Sequence, residues 1–260
     1  MQSKRRTLLS VFVVVLTVVL EYGSLAAEPR KAEPGKENPE VRSEDAPGFV
    51  SLFDGQTLKG WKAVDMSWWS VEDGAITAKI TEQKPCDKNQ YLFCEVGPMK
   101  DFELKLVHRM ITTQKVNGGF QFRSAKYQGD DCKGYQVDNN TDTPWLVRLY
   151  DEFGRHTLAW RGQRTVIDRQ GQREETAIDS NPEDAASSPA KFDLHRWHEY
   201  HLTCRGERLT LKINGQPIAE VIDKDPRQQD LSGLLALQLH SGPVMTVQFK
   251  DIRYKPLPSH

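Results

Sequence analysis

The apolar residues of this chain recur at every second position, in short runs, with no sustained helical spacing. Three such runs stand close together: Gly119–Arg123, Gly134–Asp138 and Leu146–Tyr150. One set of alternate residues is apolar, comprising Phe120, Phe122, Tyr135, Val137, Val147 and Leu149. The other set is polar: Gln121, Arg123, Gln136, Asp138, Arg148 and Tyr150. A strand sends successive side chains to opposite faces, so the pattern predicts a sheet with one face in a core. The second face is rich in hydrogen-bonding groups. Solvated strand faces favour Lys, Glu and Thr, whereas planar Gln, Arg, Asp and Tyr suit the hydroxyls of a sugar.

A fourth run ends at His240. Leu235, Leu237 and Leu239 take the apolar phase and leave Gln238 and His240 opposite them. Further runs follow from Pro47 onward, among them Trp69–Glu72, Ala75–Ile80, Phe102–Met110, His198–Cys204, Arg208–Ile213, Gln216–Ile222 and Met245–Tyr254. Turn dipeptides separate them: Asp54-Gly55, Asp73-Gly74, Asn117-Gly118, Asn214-Gly215 and Ser241-Gly242. Asn214-Gly215 sits between two alternating runs and predicts a two-residue hairpin with both residues at positive φ. About a dozen short strands in one domain predict an all-β, two-sheet antiparallel sandwich of jelly-roll type.

Residues 162–190 break the pattern. Only Val166, Ile167 and Ile178 are large and aliphatic there, and Asn181-Pro182 and Ser188-Pro189 are turn-formers. The expectation is a polar loop inserted at the rim of a sheet, placed to act as a lid.

The N-terminus reads differently again. Lys4-Arg5-Arg6 precedes an apolar stretch from Leu8 to Leu20, and Ser24-Leu25-Ala26-Ala27 follows. Thirteen residues are short for a membrane span, and the pattern predicts a signal peptide over residues 1–26, cut after Ala26 or Ala27. The expected location is therefore periplasmic or secreted, with no membrane span after cleavage. Residues 27–46 are rich in Pro, Glu and Lys and predict a disordered linker. The domain then covers 47–257. A net charge of -1 gives no electrostatic footprint for nucleic acid.

The four cysteines are Cys86, Cys94, Cys132 and Cys204. Export permits disulfides, and Cys86 and Cys94 are close enough in sequence to close a loop. Cys204 shares the apolar phase of its strand and reads as a buried thiol. No pair has zinc-site spacing. His195, His198 and His201 resemble a metal cluster, but strand geometry sends His198 and His201 to opposite faces. No nucleophile elbow, phosphate loop or dinucleotide fingerprint is present. Candidate chemistry therefore rests on the polar face: His240, Asp138 and the pair Asp151-Glu152 as acid–base groups. Gln121, Arg123, Gln136, Arg148, Tyr150, Arg155 and Gln238 are the candidate substrate-binding residues.

The motifs Leu52-Phe-Asp-Gly-x-x-Leu-x-Gly-Trp61, Asn117-Gly-Gly-Phe-Gln-Phe-Arg123, Gly134-Tyr-Gln-Val-Asp138, Tyr150-Asp-Glu152, Trp197-x-x-Tyr200, Ile213-Asn-Gly215, Leu237-Gln-Leu-His240 and Phe249-Lys-Asp-Ile-Arg253 occur in that order. Together they resemble the 3-keto-disaccharide hydrolase family, from about Pro47 to Leu257. The resemblance implies a concanavalin A-like sandwich with a carbohydrate site on its concave sheet. It implies action on glycosides already oxidised at C3, whose acidified C2 proton a base removes before the C1 oxygen departs. Hydration of the resulting enone completes net hydrolysis. On this reading His240 is the base, with Asp138 or Asp151-Glu152 as alternatives, and Arg123 or Arg155 holds the oxyanion. For some members the family also implies a divalent metal, here bound by His240 with carboxylates. Gln136 departs from the Glu that many members carry, and an amide is neither a carboxylate base nor a good ligand for a hard cation.

Overall fold

The alternating runs form strands that stack as two sheets. The computed structural model describes residues 47–141, 146–178 and 193–258. The expected signal peptide, the linker and residues 179–190 of the polar insertion lie outside the described residues. Among the described residues no helix is long and apolar enough to cross a membrane.

One sheet has ten strands, numbered in chain order. Its path runs β12 (Arg173–Ala177), β11 (Gln163–Ile167), β15 (Gln216–Asp223), β14 (Arg208–Ile213), β13 (His198–Arg205), β6 (Phe102–Ile111), β17 (Met245–Pro256), β4 (Ala75–Ile80) and β3 (Trp69–Glu72). Strand β1 (Val50–Ser51) pairs with β17. The second sheet has seven strands, in the order β10 (His156–Trp160), β9 (Val147–Glu152), β8 (Asp131–Asn140), β7 (Asn117–Tyr127), β16 (Leu234–Leu239), β5 (Gln90–Cys94) and β2 (Trp61–Lys62). All ladders are antiparallel except β11 with β15, which is parallel.

The expected apolar phase supplies the core. Phe120, Phe122, Tyr135, Val137, Val147, Leu149, Leu237 and Leu239 from the seven-stranded sheet pack with Leu104, Leu106, Tyr200, Leu202, Leu211, Val247 and Phe249 from the other. Burying such side chains contributes roughly 1.5–3 kcal/mol each and leaves each sheet only one orientation. The Asn214-Gly215 turn has φ of 51° and 79°, the expected pair of positive values.

Three expectations change. Asn117-Gly118 is not a turn but the start of β7, paired with Asn140 and Asn139. The first half of the 162–190 segment is not loop: β11 and β12 form a hairpin that extends the ten-stranded sheet. Arg173 on that hairpin donates to the backbone oxygens of Arg155 and Thr157, fastening the hairpin to β10. No disulfide closes between Cys86 and Cys94; all four cysteines are buried free thiols. Trp197, just before β13, is half-buried and lies against Arg109 and Lys250.

Candidate functional site

The face of the seven-stranded sheet turned away from the core carries most of the expected polar residues. Strand register arranges them in rungs. Along one rung Trp160, Arg148, Asp138, Gly119, Gln238 and Tyr91 stand opposite one another in turn. On the next are Thr157, Tyr150, Gln136, Gln121, Ala236 and Phe93. Glu152 faces Gly134 two positions further on, and His240 follows the end of β16 at the other side.

Asp138 is the centre of this face. Its side chain is 2% exposed, and its Oδ2 accepts from Arg148 Nε at 2.5 Å. Its Oδ1 has no partner in good hydrogen-bond geometry among the described residues, although the Asn117 side chain is near enough to favour the ionised form. Burial pushes the carboxyl above its usual range, and Arg148, the Asn117 side chain and His240 pull against that without cancelling it. Arg148 lies against the rings of Tyr150 and Trp160 and donates to Thr157 Oγ1 at 3.2 Å. Planar stacking and a bidentate habit make arginine suited to this place.

The amides form a relay. Gln136 Nε2 donates to Gln238 Oε1 at 3.0 Å, and Gln238 Nε2 donates to Tyr91 Oη at 2.9 Å. The first bond crosses β7 beside Gly119, which has no side chain to block it. Gly119 has φ of 148°, and an added Cβ would meet the Val137 oxygen at 2.0 Å. Gln121 accepts from Ser124 Oγ at 3.0 Å, but its buried Nε2 has no partner among the described residues. Such unpaired buried groups cost free energy and call for an explanation such as a ligand.

His240 completes one end. Its Nδ1 lies 2.6 Å from the Ser241 oxygen. A carbonyl oxygen only accepts, so Nδ1 carries the proton and the neutral ring keeps its lone pair at Nε2. Glu152 completes the other end. Its side chain makes no hydrogen bond or ion pair among the described residues, and its carboxyl is raised to about 7. Burial is the main cause, followed by the negative charges of Asp131, Asp138 and Asp151, with Arg148 opposing. The charge of Glu152, after burial, also raises the Tyr91 phenol, four strands away.

The raised Glu152 has a stability consequence with a definite sign. The folded protein keeps this proton to a pH of about 7, whereas the usual carboxyl value is 4.5. Ionisation therefore opposes folding, and stability falls as pH rises from about 4.5 to about 7. Glu152→Gln is expected to raise stability at pH 8 by about 1–2 kcal/mol, allowing for partial solvent exposure, and to change little at pH 4. Thermal unfolding of both proteins at the two pH values checks this. An equal difference at both would rule out ionisation of Glu152 as the cause.

Three expected site residues lie elsewhere. Arg123 has φ of 46° at a bulge between Phe122 and Ala125, which turns it out of the face's alternation. Its guanidinium donates to the Lys100 and Gly206 oxygens, both at 2.8 Å, and to Asp101 Oδ1 at 3.2 Å. It ties β7 to the ten-stranded sheet and does not join Asp138. Asp151 shares the core phase of Leu149, so adjacent Asp151 and Glu152 point to opposite sides of β9. Asp151 Oδ2 accepts from Arg155 Nε at 2.8 Å, and Arg155 continues to Asp223 on β15. The cation of the face is therefore Arg148, in place of Arg123 or Arg155.

Sequence reading missed Tyr91, Thr157, Trp160 and His156. Tyr150 Oη and His156 Nδ1 are 2.8 Å apart, and His156 has φ of 64°. The Leu52–Trp61 motif proves to build a corner: Trp61 Nε1 donates to the Leu52 oxygen at 2.8 Å, and Asp54 Oδ1 accepts from the Gln56 and Thr57 amides. The groove beside it is lined by Phe53, Asp54, Lys59 and Glu95 and includes no residue of the polar face.

The implied divalent metal does not fit these residues. Among the described residues no three of His, Cys, Asp or Glu converge. Asp138 Oδ2 is held by Arg148, and position 136 offers a neutral amide engaged with Gln238. His195 pairs with the Asp193 carboxylate, His198 with Asn214 and the Asp193 backbone oxygen, and His201 with Glu103.

Comparison with known proteins gives a consistent outline. The sequence model of the 3-keto-alpha-glucoside-1,2-lyase-like domain matches residues 48–255. No curated protein sequence matches the chain. A structure from Parabacteroides distasonis ATCC 8503 entitled a "putative glycosyl hydrolase" is 19% identical, with a TM-score of 0.52 over 81% of this chain and 94% of that one. A second from the same organism, with the same description, is 16% identical, with a TM-score of 0.53 over 80% and 99%. These likenesses show the sandwich fold.

Proposed function

The chain belongs to the 3-keto-alpha-glucoside-1,2-lyase-like family, and from that footing we propose that it is an exported enzyme that cleaves 3-keto-glucosides by elimination, with hydration completing net hydrolysis. One observation carries the reading: a buried carboxyl group, Asp138, whose Oδ1 has no well-aligned partner among the described residues, shares a face with a histidine whose Nε2 is the basic nitrogen. A ketone at C3 acidifies the C2 proton. His240 Nε2 removes that proton, and Arg148 offsets the charge that develops on the C3 oxygen. Asp138 steadies the imidazolium that results. Asp138 Oδ1 and Gln121 Nε2 offer one acceptor and one donor to sugar oxygens. The basic N-terminus, the apolar stretch from Leu8 and the small residues at Ser24–Ala27 support export.

The amide relay favours a second reading, a carbohydrate-binding domain without turnover, because Gln136, Gln238 and Tyr91 present hydrogen-bonding groups suited to sugar hydroxyls and neither amide titrates at neutral pH. Incubation with 3-keto-α-glucosides and with the unoxidised glucosides separates the two. The enzyme reading expects turnover of the keto sugars alone, insensitive to a chelator. Saturable binding of either sugar without turnover would leave the binding reading.

A further inference from the structure

When the C2 proton leaves, the charge of the enolate gathers on the C3 oxygen, and that oxygen needs a hydrogen-bond donor close to the base. Arg148 lies three strands from His240 along the sheet and is held by Asp138 Oδ2 and Thr157 Oγ1, so it acts on this charge from a distance. We infer that Asn117 is a further catalytic residue, whose side-chain amide donates to the C3 oxygen of the keto sugar and of its enolate; this rests on the elimination reading and extends it.

Register carries the inference. Leu239 pairs with Gly118, and one position further the two strands set His240 opposite Asn117. Side chains directly opposite on neighbouring antiparallel strands stand about 4.5–5.5 Å apart at Cβ. The face is fixed as well. A Cβ on Gly118 would meet Met110 at 3.2 Å and Val247 at 3.8 Å in the core, so Gly118 points inward and Asn117 and Gly119 point to the polar face. Asp138, opposite Gly119, is the neighbour they share, and its carboxyl feels both the Asn117 side chain and the His240 ring. Asn117, Asp138 and His240 thus border the space that Gly119 leaves by having no side chain.

This spacing suits an enolisation. The C2 proton and the C3 oxygen sit on adjacent carbons, so the base that takes one and the donor that holds the other must be neighbours, as cross-strand partners are. Both are held in place. Val116 donates to Thr141 Oγ1 at 2.8 Å and accepts from the Thr141 amide at 3.0 Å, which fixes the chain just before Asn117. The Ser241 amide donates to Asn89 Oδ1 at 3.0 Å, which fixes the chain just after His240. Asn117 is half-buried and within reach of a ligand, whereas the Gln136 and Gln238 amides are committed to Gln238 and Tyr91. A preorganised neutral donor of this kind gains strength as the charge develops.

The steps balance. The C2 proton passes to His240 Nε2, the electron pair of the C2–H bond forms the C2–C3 double bond, and the carbonyl pair moves to the C3 oxygen. Asn117 holds that oxygen without giving up a proton. The enolate then reforms the C3 ketone with a C1–C2 double bond; the C1–O bond breaks, and its electron pair leaves with the glycosidic oxygen, which takes a proton from water. The hydroxide so formed adds at C1, Asn117 again holds the C3 oxygen, and the His240 imidazolium returns a proton to C2. One water is consumed and both residues end in their starting form.

The test follows two reactions: turnover of methyl 3-keto-α-glucoside, and exchange of the C2 proton with deuterated water in 3-keto-1,5-anhydroglucitol, which has no leaving group. Asn117→Ala is expected to lower kcat about 10²–10³-fold, the usual cost of one oxyanion donor, with KM changed less than about threefold, and to slow the exchange by a similar factor. Asn117→Asp, of the same size but without the donor at neutral pH, should be at least as slow. The limb of the pH profile that reports His240 should keep its position in the Ala variant. A shift of that limb would make Asn117 a support for Asp138 and overturns the inference. So does an Ala variant within about threefold of wild type, or one that loses turnover while exchange is unchanged; all three leave the elimination reading intact. A wild type with neither turnover nor exchange overturns the reading and the inference together. Thermal unfolding of each variant ensures that only folded protein is compared, and Asn117→Asp carries the rate comparison if Asn117→Ala does not fold.

Discussion

A His240→Ala variant is expected to lose about 10²–10⁴-fold in kcat/KM toward 3-keto-α-glucosides, the range over which a positioned base acts. The expectation follows from one hydrogen bond. Because Ser241 supplies only an acceptor, the tautomer is set and Nε2 is the free base. Asp138 is close enough to feel the charge of His240, which is the relation a base needs when it becomes cationic. The same variant should fold normally, since among the described residues the ring makes one hydrogen bond, to the backbone oxygen of the next residue, and is not part of the core. Binding of the sugar should persist through the amide relay. Activity is measured with the keto sugar and affinity with its unreactive unoxidised form. Turnover within threefold of wild type would move the base to Asp138, and Asp138→Asn then takes the same assay.

What the sequence made legible was local. Period-two alternation is a property of single strands, so the core and the polar face could be separated from Phe120, Gln121 and their neighbours alone. The Asn214-Gly215 hairpin was legible for the same reason. What depended on partners distant in the chain was not. Arg123 alternates correctly in sequence, and only the bulge in β7 turns it away to Asp101 and the Gly206 oxygen. Asp151 and Glu152 are adjacent and were grouped, although alternation itself puts them on opposite faces. Strand β12 carries no buried residue and exists by pairing with β11, whose parallel partner β15 lies some fifty positions away. A polar edge hairpin of that kind leaves no hydrophobic signature. Trp160 and Thr157 were missed because a register shift between Thr157 and Ala159 interrupts the alternation of β10.

The largest stability effect is expected not at the polar face but behind it. Arg155 joins the sheets: it donates to Asp151 Oδ2 at 2.8 Å and bidentately to Asp223 at 3.0 and 2.6 Å, and Tyr135 Oη adds a bond to Asp223 at 2.5 Å. The Asp151 and Asp223 side chains are 4% and 1% exposed. Arg155→Leu leaves both carboxylates buried without a cation, and breaking such a pair costs about 3–5 kcal/mol. For a domain of this size that is a fall of roughly 6–20 °C in Tm. The deficit should depend on pH in a stated direction. Once Arg155 is gone the two carboxyls hold their protons more tightly in the folded state than in the unfolded chain, so the variant regains stability as pH falls and the deficit is widest at neutral pH and above. Adding Asp223→Asn to Arg155→Leu removes one of the stranded charges and should restore part of the loss, since neighbouring members of one network are not additive. Urea unfolding of the two single variants and the double at pH 5 and pH 8 measures both effects. A single Arg155→Leu variant as stable as wild type at pH 8 would mean that the network contributes geometry alone, and that the sheets are held together by their apolar faces.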